Sequence, residues 1–114
     1  MVSGTLTEDE VDRVFHALAD ATRRDILRRT AADEQSISAL ARRYAMSLPA
    51  VQKHVAVLER ADLVQKLRRG REQILRGRPE TVRKAADLLD DVEALWVGRA
   101  TRIAELLGEE GTTP

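Results

Sequence analysis

The chain of 114 residues has no cysteine, which removes a disulfide framework, a thiolate metal site and a thiol nucleophile together. Histidine is nearly as scarce, with only His16 and His54, far apart in the sequence. No apolar run reaches the roughly 20 residues a membrane helix needs. The opening MVSGTLTEDEVDRV lacks the basic-then-apolar order of a signal peptide, so a soluble protein of the cytoplasm with no membrane partner is expected. There is no glycine-rich phosphate loop, no nucleophile motif and no carboxylate pair with an evident pocket, and an enzyme is therefore not expected. Net charge is also missing, with 19 basic residues against 19 acidic ones.

What is present is an ordinary apolar fraction, 43%, enough for one folded domain with a modest core, though a helical subunit this small buries more by pairing. The charge is unevenly placed. Residues 66–78 carry six basic residues (Lys66, Arg68, Arg69, Arg71, Arg76, Arg78) against Glu72 alone, whereas residues 80–110 hold eight acids and four bases. A basic middle in a neutral chain points to a local anionic partner.

Taken in order, residues 1–6 read as a flexible lead and Thr7 with Glu10 forms a capping box, T-x-x-E, at a helix start. Val11, Val14, Phe15 and Leu18 follow as a stripe that faces either the domain's own core or a second subunit. Asp20 caps a helix ATRRDILRRTAA anchored by Ile26 and Leu27. Its Arg28 and Arg29 read as solvated, while Arg23 and Arg24 read equally as solvated or as phosphate contacts. ADEQ is a polar connection, and Ser36 caps a short helix with Ile37, Leu40 and Ala41 inward.

Ala45, Met46 and Ser47 join this helix to a second one, capped by Ser47 and carrying Pro49 in its first turn, where a missing N–H costs nothing. Leu48, Val51, Val55 and Leu58 lie on one face, and Pro49, Ala50, Gln52, Lys53 and Ala56 on the other. Two helices so joined match a helix-turn-helix, whose second helix lies in the major groove. LVQKLRR, Gly70 and REQILRG then read as two short basic strands about a turn, with Leu67 and Ile74 leaving a helical alternative. Pro79 opens a last helix to about residue 107, with Val82, Ala85, Ala86, Leu89, Val92, Leu95, Trp96, Ile103 and Leu106 spaced by threes and fours. At roughly 40 Å this helix exceeds what so small a domain covers. Its stripe meets a partner copy or folds back over its own core, and residues 108–114 form a tail.

The segments FHALADATRRDILRRT, MSLPAVQKHVAVLERADLV and RRGR, in this order, resemble the winged-helix repressors of the ArsR type, in their metal-independent branch, over residues 11–107. The resemblance implies a mainly α fold with a small β-hairpin, a winged helix-turn-helix that dimerises through its first and last helices. It also implies a homodimeric transcriptional repressor that binds an inverted repeat in double-stranded DNA. On this sequence the DNA-facing candidates are Ser47, Pro49, Ala50, Gln52 and Lys53, with His54 at the edge and Arg68, Arg69 and Arg71 on the wing. Val11, Phe15, Val92, Leu95, Trp96 and Ile103 are the dimer candidates.

Thiophilic-metal members use a cysteine pair in the helix that here reads ISALARRYAM, so no metal and no cofactor is expected. Asp87, Asp90, Asp91 and Glu93 have no histidine beside them and read as a solvated acidic face. The chain departs from the family pattern in three places. Gln52 stands where a serine is usual, Asp62 where a glycine ends the reading helix, and Gly77 with Arg78 where an apolar residue and an aspartate are usual. Two other readings stand beside a DNA-binding regulator: a protein-binding dimerisation module with a decayed DNA face, and a regulator holding a small molecule between its long helices.

Overall fold

The computed structural model describes residues 5–108, and the tail at 109–114 and most of the N-terminal lead lie outside them. Polar caps set the four helix starts that precede the wing. At α1 (Glu8–Leu18) the Thr7 hydroxyl accepts from the Glu10 N–H at 3.1 Å and the Glu10 carboxylate from the Thr7 N–H at 2.7 Å. Asp20 accepts from the Arg23 N–H at 3.0 Å to open α2 (Ala21–Ala32). Ser36 does the same through the Ala39 N–H for α3 (Ile37–Arg43), and Ser47 through the Ala50 N–H for α4 (Leu48–Arg60). Each cap satisfies an N–H that the helix cannot pair internally.

The wing is a hairpin of β2 (Val64–Arg69) and β3 (Glu72–Gly77), with Arg69 opposite Glu72 across the two-residue turn Gly70–Arg71. Gly70 takes φ +65°, the positive value that a tight hairpin turn of this length requires. This removes the helical alternative for Leu67 and Ile74. The sheet has one more strand than the sequence suggested, because β1 (Gln35–Ser36) pairs with the free edge of β3 and gives the order β1-β3-β2. Two polar residues carry no periodicity, so only the tertiary approach of β3 makes them a strand.

The core gathers Val14 and Ala17 of α1, Ile26 of α2, Leu40 of α3, Val51, Val55 and Leu58 of α4, and Leu63, Val64 and Leu75 of the wing. At about 1.5–3 kcal/mol for each large side chain, these contacts hold α4 and the wing as one unit. The structure sorts two of the sequence stripes further. On α1 the buried pair is Val14 and Ala17, while Val11 is half-buried and Phe15 exposed. On α4 Leu48 is exposed, because the first turn of the helix extends past the core.

The last helix, α5 (Pro79–Leu106), has 28 residues and so runs about 42 Å. Only Thr81 and Ala85 of it are buried. The radius of gyration is 19.5 Å against about 13 Å for a compact chain of this length. The helix therefore projects from the domain and does not fold back over its own core.

Candidate nucleic-acid interface

The outer face of α4 carries the side chains singled out from the sequence. Ser47, Pro49, Gln52 and Lys53 are exposed, and Ala50 and His54 half-buried. The face is possible because Val51, Val55 and Leu58 hold the opposite side at no more than 1% exposure. A helix fixed by such a face presents the remaining positions as a rigid row, small at Pro49 and Ala50 and polar at Gln52 and Lys53.

The helix stops where the wing must begin. Asp62 has φ +61°, its N–H donates to the Glu59 carbonyl at 3.0 Å, and the Leu63 N–H donates to the Leu58 carbonyl at 3.0 Å. This pair of bonds, with Leu58 and Leu63 both fully buried, is a Schellman termination. Aspartate fills the left-handed position that glycine takes more readily. The Asp62 carbonyl accepts from the Thr81 hydroxyl at 2.6 Å, and the Leu63 carbonyl from the Arg78 N–H at 2.9 Å. The end of α4, the start of β2 and the start of α5 are thus tied at one point.

The departure at Gly77 also has a structural reason. A Cβ there would meet the Thr30 hydroxyl oxygen at 3.3 Å and its carbonyl oxygen at 3.4 Å, so glycine lets the end of β3 lie against α2. Both departures are accommodated by the fold that presents the outer face of α4.

The wing arginines divide by partner. Glu34, just before β1, takes Arg69 Nη1 at 2.8 Å on one oxygen and Arg76 at 2.8–2.9 Å on the other. These two guanidinium groups hold the Glu34 carboxyl below its usual range, Arg69 first. Arg68 and Arg71 are exposed and have no ion pair among the described residues. Arg68 and Arg71 are therefore the wing candidates with unpaired charge, whereas Arg69 braces β1 against the hairpin.

Three of the four arginines of α2, Arg23, Arg24 and Arg29, serve as support. Arg23 donates through Nε to the Ala17 carbonyl at 2.8 Å and through Nη2 to the His16 carbonyl at 3.0 Å, and Arg24 donates to the Leu18 carbonyl at 2.8 Å. They add donors to the carbonyls of the last turn of α1. Arg23 Nη1 also lies 3.3 Å from His54 Nδ1, which is 3.7 Å from an Asp20 oxygen. His54 thus rests on the α1–α2 corner. Arg29 is paired as well, donating to Asp25 at 2.9 Å beside the Tyr44 hydroxyl, which donates to the same oxygen at 2.5 Å. The Arg29–Asp25 pair has helical i,i+4 spacing, whereas sequence spacing gave no signal for the Arg23–His54 and Tyr44–Asp25 contacts.

Of the dimer candidates, Val92, Leu95, Trp96 and Ile103 are exposed on the projecting part of α5, with Leu95 at 74% and Trp96 at 76%. Phe15 is exposed and Val11 half-buried on α1. No helix among the described residues is long and apolar enough to cross a membrane.

Residues 18–66 match a family of helix-turn-helix domains. Over 100 residues the chain is 36% identical to the HTH-type transcriptional regulator Rv2034 of Mycobacterium tuberculosis, covering 88% of this chain and 91% of that protein. An ArsR-like transcriptional regulator from Rhodococcus sp. RHA1 superimposes with a TM-score of 0.77 at 35% identity, over 86% of this chain and 92% of its own. The homodimeric winged helix-turn-helix DNA-binding domain Mb0332 from Mycobacterium bovis, a possible ArsR-family regulator, gives a TM-score of 0.62 at 29% identity over 75% and 80%.

Proposed function

Since the chain belongs to the ArsR-type winged helix-turn-helix transcriptional regulators, we propose that it acts in the cytoplasm as a homodimeric repressor of an inverted-repeat operator. The carrying observation is the exposed row Pro49, Ala50, Gln52 and Lys53 on α4 beside a wing with unpaired Arg68 and Arg71. Gln52 reads an adenine edge in bidentate fashion, Lys53 contacts a guanine or a phosphate, and the small residues let the helix sit deep in the major groove. Arg68 and Arg71 supply affinity without sequence choice, along the phosphates or the minor groove.

The homodimer reading rests on α5. Its projecting half exposes Val92, Leu95, Trp96, Ile103 and Leu106, a contiguous apolar stripe of the kind that subunit interfaces cover. In this reading two copies join there, with Phe15 of α1 at the flank, and present their α4 helices to successive major grooves, about 34 Å apart on the DNA.

A gel shift against the DNA upstream of its own gene, with a salt titration, tests the proposal. A specific band whose log affinity falls linearly with log salt is expected. The absence of a specific band at every salt concentration would mean a dimerisation module without a working DNA face.

A further inference from the structure

Between the second half of α2 and the start of α5 the surface opens into a cavity of about 590 Å³, within the size range of small-molecule sites. Leu27 and Ala31 of α2 face Pro79 and Val82 of α5 across it, and Gly77 closes one end against Thr30. The walls are therefore largely apolar.

The charged side chains that line it have one sign. Arg28 and Arg83 line the cavity from opposite helices, both exposed and neither in an ion pair among the described residues, and no acidic residue lines it. Arg78 also lines it, but its Nε lies 3.2 Å from Asp62 and 3.3 Å from Glu80, so its charge is already balanced. The first turn of α5 has no side-chain cap, and its dipole adds to the positive field. Apolar walls with two unpaired cations and no anion fit a molecule with an apolar body and a single negative head.

We propose that this cavity is an effector site for a small amphiphilic carboxylate, with the head between Arg28 and Arg83 and the body against Leu27, Ala31 and Val82. Its end wall is the β3–α5 joint, where the Arg78 N–H is bonded to the Leu63 carbonyl at the foot of α4. A ligand there biases the angle between the reading unit and the dimer helix. This coupling, unlike the binding itself, rests on the DNA-binding reading above.

The test is calorimetric titration of the full chain with decanoate below its micelle concentration, and with decanol as the neutral match. Saturable binding at one per chain is expected, with decanol and the Arg28→Ala/Arg83→Ala variant each weaker by about tenfold or more. Ala31→Phe, which fills the cavity from an exposed helix position, should abolish binding while its melting curve stays cooperative. Val82→Trp fills it from α5 should that variant not fold. In gel shifts decanoate should change operator affinity about fivefold or more in the natural chain and not in Ala31→Phe.

Equal binding of decanol and decanoate, no saturable binding, or full binding by Ala31→Phe overturns the site. Tight decanoate binding with unchanged operator affinity overturns its effector role. A chain that binds no DNA at all removes the regulator reading instead, and the decanoate titration still decides the site.

Discussion

At the scale of single residues, the proposed function separates groups that choose a sequence from groups that only attract DNA. Gln52→Ala should cost about 1–3 kcal/mol of discrimination at one or two base pairs, read by selecting bound sites from random DNA. An unchanged selected site with merely lower affinity would show that Gln52 does not read bases. Arg71→Ala should weaken all sequences alike and reduce the salt slope by about one. Arg69→Ala should act differently, because its guanidinium is bound to Glu34: faster amide exchange in β1 and β3 is the expected signature.

Ion pairs and hydrogen bonds to carboxylates set the direction of the pH response. Asp25 is held below the ordinary carboxylate range by the Tyr44 hydroxyl and then Arg29, Glu34 by Arg69 and Arg76, and Asp20 chiefly by the Arg23 N–H. Their contribution is complete above the ordinary value of about 4 and is lost as the pH falls through their lowered native values. Tyr44, pushed up by burial and by Asp25, has the opposite sign: its contribution is complete below about 10 and lost as the pH rises through its raised value. Melting temperature should therefore fall on the acid side, and the fall should be shallower in Asp25→Asn. An equal acid slope in that variant would assign the loss to other groups.

Among the elements, the junction of α4 with the wing is the critical joint. Asp62→Ala forces a residue with no local polar group into the left-handed conformation and removes the contact to Arg78. It should cost about 1–2 kcal/mol by urea denaturation. Ser47→Ala removes the cap of α4 and should cost about 1 kcal/mol, with faster exchange confined to the first turn. That turn carries Pro49 and Ala50, so DNA affinity should fall with it. The caps Thr7, Asp20, Ser36 and Ser47 were legible in sequence because capping is local, a matter of one side chain and an N–H three residues on. β1, the roles of Arg23 and Arg24, and the Glu34 brace were not, because each depends on a residue brought close only by folding.

For the whole molecule, the proposed assembly rests on the projecting α5. Trp96→Ala together with Leu95→Asp should shift the chain to monomer in sedimentation and leave the thermal melt of the winged domain largely intact, since neither side chain touches that core. Operator binding should then fall to that of a single half-site. A variant that stays dimeric would place the interface elsewhere. The sequence by itself determined the helix order, the four caps, the basic hairpin and the polar face of α4, all of which follow from periodicity, charge and turn chemistry within a few residues. It also carried enough of the family pattern to identify a winged helix-turn-helix. Only the tertiary structure decided that Arg69 is a brace, that His54 rests on the α1–α2 corner and that α5 leaves its own core, because these depend on distances between segments far apart in the chain.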